Sequence, residues 1–282
     1  MAAKSFYGRV VLVTGASSGI GLAIARLLLE QGYTVLGAYR RLPERLPRLS
    51  ETDPLLAGLV PYRLDITEPE SCCSLVEQIM SDYGRLDALF HCAGSGLASA
   101  VEETPVEDVR WQMDQIFIGA VNVVRPVLPL MRNQKKGLIV MISSVAAFVP
   151  VPYQTYYSAA KAALQAYATG LADEVAPFGI RISVVSPGDT KTGYTDARRV
   201  ISSGQPDSPY SGPLERSVAR MARDEQNGMR PQAIARAAVK NLYTSSPPLN
   251  RTPGLLYKVA LLVQRLIPTR LFRAIIRRIY AA

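Results

Sequence analysis

A phenol and an ammonium stand four residues apart in the run Tyr157-Ser158-Ala159-Ala160-Lys161, and the hydroxyl of Ser144 lies thirteen residues before the tyrosine. On a helix, residues at this spacing share a face, so Tyr157 and Lys161 point the same way. An ammonium about 4 Å from a phenol oxygen is worth up to ~4 kcal/mol at an effective dielectric near 20, or as much as ~3 units off a tyrosine pKa before desolvation opposes it. A phenol tuned in this way can give a proton to a carbonyl oxygen or take one from an alcohol. Ser144 can hold the same oxygen by a hydrogen bond. A tyrosine and a lysine at this spacing also meet on helices by accident. The serine and a glycine turn far upstream make Ser144, Tyr157 and Lys161 a candidate catalytic set.

That turn is Thr14-Gly15-Ala16-Ser17-Ser18-Gly19-Ile20-Gly21. It follows a short apolar run, Arg9 to Val13, and precedes Ile20, Ala23, Ile24, Leu27 and Leu28 at helical spacing. Glycines after a strand and before a helix allow a tight turn, close approach of backbone to a pyrophosphate, and close packing of helix on sheet. The helix N-terminus adds unpaired N–H groups and the positive end of a dipole. Gly15, Ser17, Ser18, Gly19, Ile20 and Gly21 are therefore candidate dinucleotide contacts. The next strand, Tyr33 to Ala38, leads into Tyr39-Arg40-Arg41, with no acidic residue to accept the two ribose hydroxyls. Arg40 can pair with a 2′-phosphate instead, with Ser17 adding a hydroxyl, so NADP(H) is expected in preference to NAD(H). Asp65 can accept from an adenine amino group or cap the helix that follows it, and the two roles are compatible.

The remaining elements must bring these groups together. Asp87 to Cys92, Gly137 to Ile142 and Ile180 to Val185 are further apolar runs, separated by helical stretches near 69–83, 105–132 and 154–176. Strands alternating with helices predict an α/β fold, a doubly wound parallel sheet covered on both faces. From Ser186 to Gly228 the pattern weakens, apart from a short helix expected around 213–226. An insertion there would lie above the carboxyl edge of the sheet, as a surface loop or a substrate lid.

Composition excludes several alternatives. The chain of 282 residues has one histidine, His91, and three cysteines, Cys72, Cys73 and Cys92. That set builds no ordinary zinc site and no disulfide framework, and a Ser-His-Asp triad would have to use a histidine at the end of a buried strand. Met1 to Arg9 carries no apolar leader core, and no uncharged stretch approaches the ~18 residues of a spanning helix, so a cytoplasmic location is expected. The formal charge is +9, but residues 251–282 hold seven basic side chains and no acidic one, leaving +2 for the first 250 residues. No aromatic interleaving accompanies that charge, so nucleic acid is not an expected partner.

The chain resembles the short-chain dehydrogenase/reductase family over about residues 5–245. The likeness rests on Thr14-Gly15-x3-Gly19-x-Gly21, Ala93-Gly94 after a strand, Ser144, Tyr157-x3-Lys161, and Pro187-Gly188 followed by Thr192. It implies a Rossmann-type sheet of about seven parallel strands and Tyr157 as general acid/base. It also implies Ser144 as the group that positions the substrate oxygen, and Lys161 on the nicotinamide ribose. Ala93 and Gly94 would approach the cofactor, and Pro187, Gly188 and Thr192 would line its carboxamide. Homodimers or homotetramers through the helices near 105–132 and 154–176 are implied as well. Three positions depart from the family pattern. His91-Cys92 replaces Asn-Asn, Ile116 stands where a catalytic asparagine is usual, and a last strand is hard to find near Pro247–Gly254.

Two segments follow from this reading, a 1–250 NADP-binding catalytic domain and a 251–282 basic amphipathic helical tail. In the tail, Leu255, Leu256, Val259, Leu262, Val263 and Leu266 form one stripe, and Leu271, Phe272, Ile275, Ile276 and Ile279 a second. Residues 255–280 can make peripheral contact with an anionic membrane, or pack on the protein's own body, or form a lid or subunit contact around an apolar substrate; packing or subunit contact is the expectation. The leading functional expectation is an NADP(H)-dependent oxidoreductase acting on a small apolar carbonyl or alcohol. Hydroxysteroid dehydrogenases and ketosphinganine-type reductases are family members of similar layout. The alternative is a non-catalytic NADP-binding scaffold, docked at a membrane, which Ile116 would favour.

Overall fold

Strands built mostly of apolar residues must be covered on both faces, and this chain alternates them with helices that do so. The structure, a computed structural model, describes residues 5–40, 45–201 and 208–280. Met1 to Lys4, part of the N-terminal segment read above, and 202–207 within the expected insertion lie outside it. The strands are β1 (Val10–Thr14), β2 (Thr34–Tyr39), β3 (Val60–Arg63), β4 (Ala88–His91), β5 (Leu97–Ser99), β6 (Gly137–Ile142), β7 (Ile180–Val185), β8 (Arg199–Ile201) and β9 (Asn250–Arg251). The α-helices are α1 (Gly19–Glu30), α2 (Arg45–Thr52), α3 (Pro69–Tyr83), α4 (Val106–Met113), α5 (Gly119–Asn133) and α6 (Thr155–Val175), then α7 (Tyr194–Ala197), α8 (Ser211–Gln226), α9 (Pro231–Val239), α10 (Leu255–Leu266) and α11 (Thr269–Tyr280).

Seven strands form one sheet in the order β3-β2-β1-β4-β6-β7-β9, every neighbour parallel. This is the doubly wound, Rossmann-type α/β architecture expected. Side-chain alternation sends Leu12, Leu36, Leu89 and Ile139 to one face, under α3, α5 and α6. Val11, Val13, Phe90 and Val140 go to the other, under α1 and α9. The strand order reverses between β2-β1 and β4-β6, so the carboxyl ends of β1 and β4 border the crevice where such sheets bind ligands.

Four details differ from the sequence reading. The helix expected over 105–132 is interrupted by a π-turn at Asp114–Ile118 between α4 and α5. The elusive last strand exists as β9, only two residues long. Pro247, Pro248 and Pro253 flank it and supply no backbone donors, which confines the pairing to Val184↔Asn250 and Val185↔Arg251. A small parallel ladder, β5 with β8, was not anticipated. The tail stripes, expected to pack on the protein's own body or in a subunit contact, leave Leu255, Leu256 and Leu266 exposed in the single chain, and no residue of α10 or α11 is buried.

One polar cluster ties the two central strands at the crevice. Thr14 pairs with His91 across β1 and β4. The Thr14 hydroxyl oxygen accepts from the N–H of Cys92 (3.1 Å) and of Ala93 (3.2 Å). Both lone pairs are then used, so the hydroxyl proton goes to His91 Nδ1, 3.1 Å away. His91 Nε2 therefore carries the ring proton, buried and without a partner. Burial first, and the nearby charge of Lys161 second, push the ring down to about 3.

That depression sets a pH signature. Between about 3 and the ordinary 6.5 the unfolded chain binds a proton that the folded ring refuses, so stability is lost as pH falls through this window. The cost at pH 5 relative to pH 7 is about 2 kcal/mol. Urea unfolding of wild type and His91→Asn at the two pH values should show the variant gaining about 2 kcal/mol on wild type at the lower one. An unchanged difference between the proteins at both values would show that His91 does not carry this proton linkage.

Candidate functional site

A cavity of about 970 Å³ runs along the carboxyl edge of the sheet. All the residues singled out in the sequence border it: Gly15, Ser17, Ser18, Gly19, Ile20, Gly21, Arg40, Asp65, Ala93, Gly94, Ser144, Tyr157, Lys161, Pro187, Gly188 and Thr192.

At one end the backbone makes a cradle. Gly15 has φ +68°, and a Cβ there would lie 2.9 Å from the Ala93 nitrogen; a Cβ on Gly21 would lie 2.3 Å from the Gly15 carbonyl oxygen. Only glycine lets the turn fold back on β4 and on the first turn of α1. Ser18 precedes α1 without capping it by its side chain, which leaves the first-turn N–H groups to a ligand. Arg40 is exposed at the rim beyond β2. Asp65 Oδ1 accepts from the backbone N–H (3.0 Å) and hydroxyl (2.7 Å) of Thr67, so this residue shapes a turn while bordering the cavity. These features, a cradle that Cβ atoms would fill and donors at a helix N-terminus, fit a dinucleotide.

At the middle, α6 presents Tyr157 and Lys161. Tyr157 is half-buried and Lys161 is buried. Lys161 Nζ donates to the Ile142 carbonyl at 2.8 Å and sits 5.8 Å from the Tyr157 ring centroid. Burial lowers this ammonium to about 8. Tyr157 is raised, first by burial, while the hydroxyls of Ser144 and Tyr194 and the charge of Arg198 pull the other way. The expectation that Lys161 draws the phenol strongly down is therefore corrected. The ammonium is turned to a backbone carbonyl, and desolvation of the phenolate is the larger effect. Ser144 Oγ accepts the Ala146 N–H at 3.1 Å, which leaves its own proton to point elsewhere.

Residues from the segment after β7 close the site, and sequence reasoning missed Thr195, Arg198 and Glu225 among them. Tyr194 lies 6.0 Å from Tyr157 between ring centroids, tilted by 54°. Its hydroxyl is close enough to perturb Tyr157 but meets no partner in hydrogen-bonding geometry. Under it, the buried Arg198 pairs with Glu225 and stacks at 5.7 Å over the Tyr194 ring. Glu225 also accepts the Thr195 hydroxyl at 2.5 Å. Nothing local in the sequence signals a pair 27 residues apart. From the tail, the Tyr257 ring covers Gly188, where a Cβ would lie 2.0 Å from it. The Tyr257 hydroxyl donates to Asp189 Oδ2 (2.8 Å) and accepts the Asp189 N–H (2.9 Å). Ile116, in the π-turn, borders the cavity with no polar atom to offer, and is 2 % exposed. Among the described residues no cluster of side chains could hold a metal, and Cys72, Cys73 and Cys92 are free thiols.

Comparisons with known proteins give the family and the fold. Residues 9–200 match the family model described as short chain dehydrogenase. A 3-ketodihydrosphingosine reductase of Bacteroides thetaiotaomicron is 37% identical over 251 residues, 89% of this chain and 90% of that protein. An uncharacterized oxidoreductase of Escherichia coli, YbbO, is 30% identical over 95% of this chain and 93% of its own. Among solved structures, a short-chain dehydrogenase from Streptomyces avermitilis is 33% identical with a TM-score of 0.78, covering 94% of each chain. ElxO with NADP bound is 25% identical with a TM-score of 0.72, over 88% of this chain and 98% of that one. With its parallel sheet, its glycine cradle and these relatives, the chain belongs to the short-chain dehydrogenase family of oxidoreductases.

Proposed function

We propose that this protein is an NADP(H)-dependent oxidoreductase interconverting a ketone and a secondary alcohol on an apolar substrate. The observation that carries the reading is the Tyr157 phenol, set beside the Ser144 and Tyr194 hydroxyls in a cavity whose walls include Val149, Val151, Val263, Phe272 and Ile276. The Bacteroides relative, named as a reductase of 3-ketodihydrosphingosine, and the NADP-bound ElxO structure support it.

The residues divide the work. First-turn N–H groups of α1 would take the pyrophosphate, Arg40 and Ser17 the 2′-phosphate, Asp65 the adenine amino group, and Lys161 the nicotinamide ribose. Ala93 and Gly94 would let the cofactor approach the backbone, with Pro187, Gly188 and Thr192 at the carboxamide. When bound, the nicotinamide supplies or accepts the hydride. Ser144, its oxygen held by the Ala146 N–H, donates to the substrate oxygen. Tyr157 gives that oxygen a proton in reduction and takes one back in oxidation. A phenol held above its ordinary value is protonated at neutral pH, so it stands ready as the acid. Reduction should then stay level with pH until the phenol ionises, while oxidation rises on the alkaline side. Initial rates in both directions across pH test this, and opposite slopes would reject Tyr157 as the titrating group.

Two substitutions test the remaining assignments. Tyr157→Phe should lower kcat for ketone reduction by ~10²–10⁴-fold with NADPH affinity retained. Reductase activity unchanged in that variant would reject Tyr157 as the acid, and cofactor binding with no turnover of steroid, acyl or sphingoid ketones by wild type would favour a non-catalytic NADP-binding protein. Arg40→Ala should raise KM for NADPH by ~10–100-fold and leave KM for NADH nearly unchanged. Equal losses with both cofactors would remove the 2′-phosphate contact.

A further inference from the structure

The tail exposes what the rest of the molecule hides. Leu255 (78%), Leu256 (73%), Leu262 (56%), Leu266 (73%) and Leu271 (54%) stand largely in water. Exposed large apolar residues elsewhere among the described ones, such as Met80, Val106 and Phe178, are scattered along the chain, whereas these cluster on two consecutive helices. A contiguous exposed apolar patch marks an interaction surface.

The geometry of the tail explains why the patch stays open. Polar contacts hold the tail over the site: Tyr257 to Asp189, Gln264 Nε2 to the Phe148 carbonyl at 2.6 Å, and Tyr280 to Asp224 at 3.4 Å. The apolar stripes therefore straddle an opening. Val259, Val263, Ile275 and Ile279 are themselves well exposed and also line the cavity. They form a rim of the cavity that Leu256 shares, while Leu255, Leu262, Leu266 and Leu271 are exposed outside its lining.

Charge completes the picture. Residues 251–282 carry seven basic side chains and no acidic one, and on α11 the basic Arg270, Arg273 and Arg277 fall opposite the apolar arc. At 1.5 Å per residue each twelve-residue helix is about 18 Å long, too short to cross a bilayer but suited to lying in its interface. No described helix is long and apolar enough to cross a membrane.

We propose that α10 and α11 dock on an anionic lipid bilayer with the cavity mouth facing the acyl layer, so that an apolar substrate reaches Tyr157 from the membrane without crossing water. A second copy of the chain is the poorer occupant. Patch against patch, it would set two groups of seven positive charges together with no acidic partner from either tail, whereas lipid headgroups supply the countercharge, each lysine or arginine adding about 1 kcal/mol near the surface. The docking stands on the surface alone; only the delivery of substrate rests on the function proposed above.

The test uses the full chain and vesicles of phosphatidylcholine, with and without phosphatidylserine. Wild type should co-sediment with the phosphatidylserine vesicles, less so as salt rises, and weakly with phosphatidylcholine alone. Leu262→Glu with Leu266→Glu, at positions outside the cavity lining, should weaken that binding by about tenfold per leucine. The double variant should still reduce a small water-soluble ketone at the wild-type rate, but lose rate on a long-chain ketone presented in vesicles. Arg273→Glu with Arg277→Glu should remove the preference for phosphatidylserine. Absence of wild-type co-sedimentation, or a double variant that binds as wild type does, overturns the proposal. So does a tail-dependent dimer in solution that Leu262→Glu with Leu266→Glu splits. Docking without reduction of any ketone would uphold the membrane surface and sink the proposed function; reduction without docking would do the reverse.

Discussion

A parallel sheet buried on both faces can offer reactive groups to a ligand only at the ends of its strands. Here Leu12, Leu36 and Leu89 fill one face and Val11, Val13 and Phe90 the other, so neither face has room for a site. Everything that could do chemistry sits at the carboxyl edge, and its precision depends on the alignment of β1 with β4. Thr14 fixes that alignment by taking two backbone N–H groups and giving its proton to His91. The same bonds hold Ala93 against the glycine turn, where the Gly15 position has no space for a Cβ. A neutral, buried histidine is thus part of the frame that shapes the cradle.

Local patterns were legible in the sequence, and contacts between distant segments were not. The glycine turn, β6, β7 and the Tyr157–Lys161 face could be read because each is specified within a few residues. The π-turn at Asp114–Ile118 could not, because the apolar spacing on either side of it remains helical. β9 is only two residues long and flanked by prolines, so it carries no period to detect. Arg198 with Glu225, and Tyr257 on Gly188, are unions of segments that only the folded chain brings together. Positions at the site were therefore easier to find than the energies there. Counting the charge of Lys161 against Tyr157 was reasonable from spacing alone, but the Ile142 carbonyl that captures the ammonium belongs to a strand nineteen residues away.

The departures from the family pattern acquire different weights in this setting. His91 and Cys92 replace side chains without disturbing the backbone that a cofactor would approach, since the Thr14 hydroxyl binds main-chain N–H groups. Ile116 is a more consequential change, because it brings an apolar side chain to the cavity where an amide would have offered hydrogen bonds. Tyr194 supplies one polar group the family pattern did not lead us to expect, a buried hydroxyl without a partner beside Tyr157.

The tail and the phenol border the same cavity. Tyr157 is raised because protein surrounds it, with Tyr194 of the segment after β7 beside it and residues of α10 and α11 lining the same cavity. The cover is polar where it meets the body, at Asp189, Phe148 and Asp224, and apolar where it meets the cavity and the outside. An apolar substrate filling the cavity would displace water from beside the phenol. The substrate would thereby complete the low-dielectric surroundings that keep Tyr157 protonated, so the apolar walls favour both binding and the acid form of the residue that acts on the bound molecule.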